Sequence, residues 1–176
     1  MGIKTSQQWW AEVKADPKRF NGWLLRQFRG EATAAKRIVD FADKYAPDTQ
    51  SKRILYTIAS QEAQHADWVL QLLKTRGIEP DTSGAEKRYW KETLPEIRSF
   101  ETGAAVAAHA EKMRLERIRT ISEDPTAPAD VKDTFTRILK DELFHECAFR
   151  EMAGPEALEL TLASHRQGRK ALGLEP

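Results

Sequence analysis

One cysteine, Cys147, stands among 176 residues, so no internal disulfide, zinc ribbon or CxxC-bound rubredoxin-type iron can form within the sequence. Any metal chemistry must use nitrogen and oxygen ligands. Apolar runs of the ~18 residues that a membrane helix needs are missing. The start, Met1-Gly2-Ile3-Lys4-Thr5-Ser6, leads into polar residues rather than an apolar signal segment. A cytoplasmic protein with no membrane partner is expected. An excess of either charge is missing too: 28 Lys and Arg meet 27 Asp and Glu, a formal net charge of +1, which offers no polybasic surface to nucleic acid. Alternating Val/Ile/Thr runs of the strand type are missing, and Gly and Pro gather in a few clusters. What is present, 40% apolar and 31% charged residues, describes one all-α domain over residues 1–176.

The punctuation places the helices. A short opening helix is expected over about Ser6–Ala15, with Asp16 as cap and Pro17 as the first residue of a long helix that runs to about Ala46, where Pro47 stops it. Asp48, Thr49 or Ser51 caps a second long helix that ends at Gly77. The stretch from Ile78 to about Glu92 has no clear period and reads as a long crossover. Thr93 and Glu96 have capping-box spacing around Pro95, and Gly103 is expected to break that helical stretch before a third long helix ending near Asp124-Pro125. Pro125 and Pro128 bracket a turn, and Asp130 opens a fourth long helix that closes at Gly154-Pro155. The core bundle is thus expected over about residues 17–154, flanked by peripheral helices at about 6–15 and 156–170.

A repeated spacing carries the functional reading. Two histidines follow a glutamate by three residues, Glu62-Ala63-Gln64-His65 and Glu142-Leu143-Phe144-His145, which puts each pair on one helix face. Glu31 precedes Glu62 by 31 residues, and Glu111 precedes Glu142 by the same 31. Each pair is centred on a turn, at Ala46-Pro47 and at Thr126-Ala127. In an antiparallel hairpin, residues equidistant from the turn stand at one height, here ~23 Å from it at ~1.5 Å per residue. The flanks at helical offsets are apolar, for example Leu24 and Ile38 around Glu31, or Ile138 and Phe149 around Glu142. Four carboxylates buried together without compensation cost several kcal/mol apiece. Two divalent cations would neutralise them, with two imidazoles completing the coordination. Carboxylate and imidazole suit iron or manganese.

One Glu from each of two helices and a Glu-x-x-His from each of the other two is the ligand set of di-iron carboxylate bundles. From Pro17 to Gly154 the sequence resembles the ferritin-like di-iron carboxylate superfamily, a four-helix bundle with a long crossover between helices two and three. Gln61-Glu62-Ala63-Gln64-His65-Ala66 and Leu73-Lys74-Thr75-Arg76-Gly77 look most like a small rubrerythrin-like protein without a rubredoxin module. The resemblance implies a non-haem dimetal oxidoreductase, cytoplasmic, that reacts with dioxygen or hydrogen peroxide at two iron ions (or Mn/Fe, or Mn/Mn). Glu31, Glu62, Glu111 and Glu142 would hold the ions, and His65 and His145 would cap one each. An external electron donor would be needed, and a homodimer is an expected assembly. Where rubrerythrins usually carry a further glutamate one turn after the helix-three ligand stands Arg114. A set without it also resembles oxygenases acting on a small organic substrate and iron-binding ferroxidase centres.

Other residues receive plainer readings. Asp141 and Gln61, each immediately before a Glu-x-x-His glutamate, are expected to accept hydrogen bonds from His65 and His145 respectively, each from the neighbouring helix. Arg114 is expected at the surface. Tyr56 and Trp68 are expected in the core, His109 and His165 as structural or exposed residues, and Cys147 as a small buried hydrophobe. Ala34, Ala35, Ala107 and Ala108 would leave room for an oxidant or permit close helix packing.

Overall fold

Asp16 and Asp48 start the first hairpin: Asp16 accepts from the backbone N–H groups of Lys18 (2.9 Å) and Arg19 (3.2 Å), and Asp48 from Ser51 (2.7 Å). Each satisfies donors that a helix's first turn leaves without partners. The computed structural model describes residues 5–81, 83 and 88–174. It contains α1 (Ser6–Ala15), α2 (Pro17–Tyr45), α3 (Thr49–Lys74), α4 (Arg88–Thr93), α5 (Phe100–Glu123) and α6 (Ala129–Ala171), with a single 3₁₀ turn, Leu94–Glu96, between α4 and α5. The architecture is all-α and ferritin-like. No helix among the described residues is long and apolar enough to cross a membrane. The crossover expected over residues 78–92 falls in part on 82 and 84–87, which lie outside the described residues, as do the opening residues 1–4; the described part carries α4.

α2 pairs with α3 and α5 pairs with α6. Two apolar clusters fill the bundle. One gathers Trp10, Trp23, Leu24, Leu73, Ile118 and Phe135; the other gathers Ile38, Leu55, Ile58, Ala104, Ala108 and Phe149. In every long helix, the members of one cluster come before the central glutamate and those of the other come after it. The four glutamates therefore lie on a polar level between two apolar halves. α1 belongs to the first half: Trp10 and Val13 are buried, Trp10 Nε1 donates to Asp124 at 2.7 Å, and Lys14 pairs with the same carboxylate. Arg76 holds Asp130 with two hydrogen bonds of 2.7 and 2.9 Å, tying the end of α3 to the start of α6.

Two local expectations are corrected. Thr93 caps nothing; its hydroxyl donates to the carbonyl of Tyr89 one turn back at 3.1 Å, so it is not free to start a helix. α5 instead begins at a capping box formed by Ser99 and Thr102. Gly103 does not break α5. It lies within the helix against the ring of Phe41, where an added Cβ would come within 2.2 Å of a ring carbon, so the glycine serves close helix approach.

The stop expected at Gly154-Pro155 is one residue wide. Gly154 has φ 69° and ψ 166°, a region essentially confined to glycine, and the helix resumes at Pro155, whose missing N–H costs nothing at a new first turn. The kink turns the second half of α6 onto α4. There Ala157, Thr161 and Gly168 are buried, Tyr89 is only 1% exposed, and its hydroxyl meets His165 Nδ1 at 2.8 Å. His165 stacks on His109, whose Nε2 donates to the carbonyl of Leu158 at 3.1 Å. Burial pushes His165 down to about 4, so it is neutral and structural. Gly154→Ala should lower unfolding stability by about 1–3 kcal/mol, read as an earlier urea midpoint.

Candidate metal centre

Each of the four long helices delivers one glutamate to the level between the apolar clusters. Glu31, Glu62 and Glu142 are fully buried, Glu111 is 8% exposed, and His65 and His145 are fully buried. These six residues form two overlapping groups, Glu31, Glu62, His65 and Glu142 on one side and Glu62, Glu111, Glu142 and His145 on the other. Within each group one ligand atom per residue lies within 4.8 Å of all the others. Glu62 and Glu142 belong to both groups, which puts them between the two positions.

The imidazoles are oriented from behind. His65 Nε2 donates to Asp141 Oδ2 at 3.0 Å, His145 Nε2 donates to Gln61 Oε1 at 3.0 Å, and Gln61 Nε2 donates to Asp141 Oδ1 at 3.0 Å. This chain joins both rings across α3 and α6. With the proton on Nε2, each Nδ1 lone pair faces inward: His65 Nδ1 lies 3.6 Å from Glu142 and 3.8 Å from Glu31, and His145 Nδ1 lies 3.0 Å from Glu62 and 3.6 Å from Glu142. That is the presentation metal-bound histidines have.

Arg114 is not a surface residue. Its guanidinium reaches from α5 to carboxylates of the other three long helices: it pairs with Glu31 Oε1, lies 3.1 Å from Glu142 Oε1 and 3.5 Å from Glu62 Oε2, and its side chain is 22% exposed. Sequence reasoning placed it outside because residue 114 has no fixed direction until α5 is docked. The available signal was its offset of three from Glu111. The expectations for Cys147 and Tyr56 are corrected as well. Cys147 is half-buried rather than core, with Sγ 3.5 Å from Glu151. Tyr56 is 40% exposed and donates to Asp43, while Trp68 packs against the first cluster under Arg137. Of the alanines, Ala108 is buried within the second cluster and Ala107 packs against it.

The charges around the centre sort the carboxylates. Burial raises Glu62, the neighbouring Glu142 adds to it, and its pKa stands at about 7. Burial and Glu142 likewise hold Glu111 well above the usual carboxylate range. Burial opposes ionisation of Glu142 and Glu31 as well, but Arg114 and the histidines outweigh it and hold both below their ordinary value. Burial opposes the charged form of His65, yet the neighbouring carboxylates of Glu142 and Glu31 lift it to about 10.

Whether the residues fit a pair of metal ions is answered by their unpartnered atoms. Glu31 Oε2, Glu62 Oε1, Glu111 Oε2, both oxygens of Glu142 and the Nδ1 atoms of His65 and His145 are buried with no hydrogen-bond partner. A buried polar atom left so costs about 1–3 kcal/mol, and these seven face one another. The donor set is hard oxygen plus imidazole, with no thiolate. It fits a dimetal site.

The rubrerythrin family model matches residues 23–153. That span includes all six residues, Arg114, Asp141 and Gln61. No curated protein and no solved structure matches the chain.

The raised pKa of Glu62 gives a signed prediction for protein held in chelator. Below pH ~4.5 folded and unfolded chains both carry the proton; between ~4.5 and ~7 the unfolded chain releases it and the folded chain resists, so stability falls as pH rises through that window. Glu62→Gln removes this penalty. At pH 7.5 the chelated variant should be more stable than wild type by roughly 1–3 kcal/mol, with the gain vanishing at pH 4, in paired urea titrations.

Proposed function

The chain belongs to the rubrerythrin family, and from that premise we propose that it is a non-haem dimetal carboxylate oxidoreductase that reacts with hydrogen peroxide or dioxygen. The observation that carries this reading is the inward-facing set of unpartnered ligand atoms on Glu31, Glu62, His65, Glu111, Glu142 and His145. Glu31 and His65 would hold one ion, Glu111 and His145 the other, and Glu62 and Glu142 would bridge them. Two iron ions are the metals we favour, on the carboxylate-rich donor set. When bound, the ions supply the electrons that reduce the oxidant.

The protein's own groups do the rest. The carboxylates lower the charge of the pair and fix its spacing. Asp141 and Gln61 hold the Nε2 protons of both imidazoles and keep their Nδ1 lone pairs directed inward. Apolar side chains above and below the level keep bulk water from the ligands. Electrons would be restored after each turnover by an external donor protein or small reductant, since one cysteine cannot form a rubredoxin-type iron centre within this sequence.

Glu111→Ala and His145→Ala should each bind fewer than two metal ions per chain after anaerobic reconstitution with ferrous iron, with far-ultraviolet circular dichroism unchanged. Full occupancy in both variants would sink the assignment. Asp141→Ala should keep the metal stoichiometry but weaken affinity by about 10–100-fold, measured by competition with a chelating dye. Stopped-flow mixing of the reduced protein with each oxidant separates the chemistries. Faster oxidation by peroxide supports a peroxidase. A long-lived species formed with dioxygen points to oxygenation of a small organic substrate, and rapid iron uptake into a large multimer points to a ferroxidase.

A further inference from the structure

Arg114 shares its partners with the candidate ligand set but not all of their atoms. The guanidinium pairs with Glu31 Oε1 and approaches Glu62 Oε2, while Glu31 Oε2 and Glu62 Oε1 stay unpartnered and face the histidines. Glu142 Oε1 lies 3.1 Å from the guanidinium but without hydrogen-bond alignment, so this oxygen too remains unpartnered, as does Oε2. Glu111, three residues before Arg114 on the same helix, is not among the carboxylates to which it donates. One planar fork therefore takes the outer oxygen of two carboxylates and leaves the inner ones for another cation.

We propose that Arg114 is a permanent third cation of the centre: it remains on Glu31 and Glu62 when two metal ions are bound, restricts each to its inner oxygen, and tunes the redox balance of the pair. This rests on the dimetal reading above. Four carboxylates and two divalent ions sum to zero, and Arg114 leaves the reduced centre at +1. Withdrawal of an electron from a centre that already carries a net positive charge, in surroundings where charge is poorly screened, is disfavoured. Arg114 thus raises the reduction potential and makes the reduced form the resting one. The same charge weakens divalent-ion binding. In return it offsets negative charge on the buried carboxylates it approaches, alongside the two imidazoles.

The side chain is 22% exposed. Asp141 and Gln61 hold the imidazoles, and Arg114 holds the carboxylates. Among the described residues Arg114 is the one Lys or Arg side chain that pairs with these glutamates.

The test compares wild type, Arg114→Gln and Arg114→Lys, each reconstituted anaerobically with ferrous iron, with metal content by elemental analysis and midpoint potential by mediated spectroelectrochemical titration. The expected result is two ions in each, a midpoint shifted to lower potential in Arg114→Gln, and a return most of the way to wild type in Arg114→Lys, which restores charge without the fork. A structural role alone would move stability and leave the potential in place. Equal midpoints for wild type and Arg114→Gln would overturn the proposal, since an arginine displaced by the metals cannot influence them. Should Arg114→Gln not fold, the zinc-loaded wild-type protein decides the matter by proton NMR: slow solvent exchange of the Arg114 guanidinium, assigned by its loss in Arg114→Lys, supports retention, and exchange at the rate of free arginine refutes it. Failure of wild type to bind two ions would bring down the dimetal reading itself, an outcome separate from equal midpoints.

Discussion

Four glutamates buried on one level of a helical bundle would repel one another and resist desolvation, and the rest of the molecule is arranged around that conflict. Charge is compensated from within by Arg114, which pairs with three of the four, and by imidazoles lifted towards their charged form. Even so, one oxygen or more on each glutamate, and one nitrogen on each histidine, finds no partner. A fold that conserved only its own stability would replace these groups with apolar ones of similar size. The cost is borne because apolar packing on both sides exceeds it, with Trp23, Phe135 and Leu24 in one half and Ile58, Phe149 and Leu55 in the other.

The two halves also explain why the site can be rigid. Each of the six candidate residues stands mid-helix, at least two turns from any helix end, where backbone hydrogen bonds hold it on both sides. The chain from His65 through Asp141 and Gln61 to His145 links α3 and α6, so each ring is held by an acceptor that is itself fixed by a hydrogen bond to the other acceptor. The kink at Gly154 separates this demand from another. It lets the second half of α6 leave the bundle axis and close over Tyr89 without bending the segment that carries Glu142 and His145.

Much of this was legible from residue spacing. Equal separations of 31 residues about two proline-marked turns are enough to put Glu31, Glu62, Glu111 and Glu142 at one height, since a hairpin of regular helices converts distance along the chain into distance from the turn. The cap at Asp16 was readable for a similar reason, since it needs only the residues that follow it, while the second cap was narrowed to Asp48, Thr49 or Ser51 and the structure selects Asp48. Gly103 misled because what holds it is remote in sequence, Phe41 on α2, and Thr93 because its hydroxyl is already taken by the Tyr89 carbonyl one turn back.

What the order of amino acids settled was periodicity: which segments are helices, where they turn, and which side chains share a face. Those properties depend on neighbours within about four positions, and α-helical geometry is the same everywhere. What only the packed molecule decided was direction across the bundle. Arg114 could have faced water, and Cys147 could have been buried; docking of α5 and α6 turned the first onto the carboxylates and left the second beside Glu151. Helix rotation is set by the sum of contacts along the whole length, so no single spacing carries it.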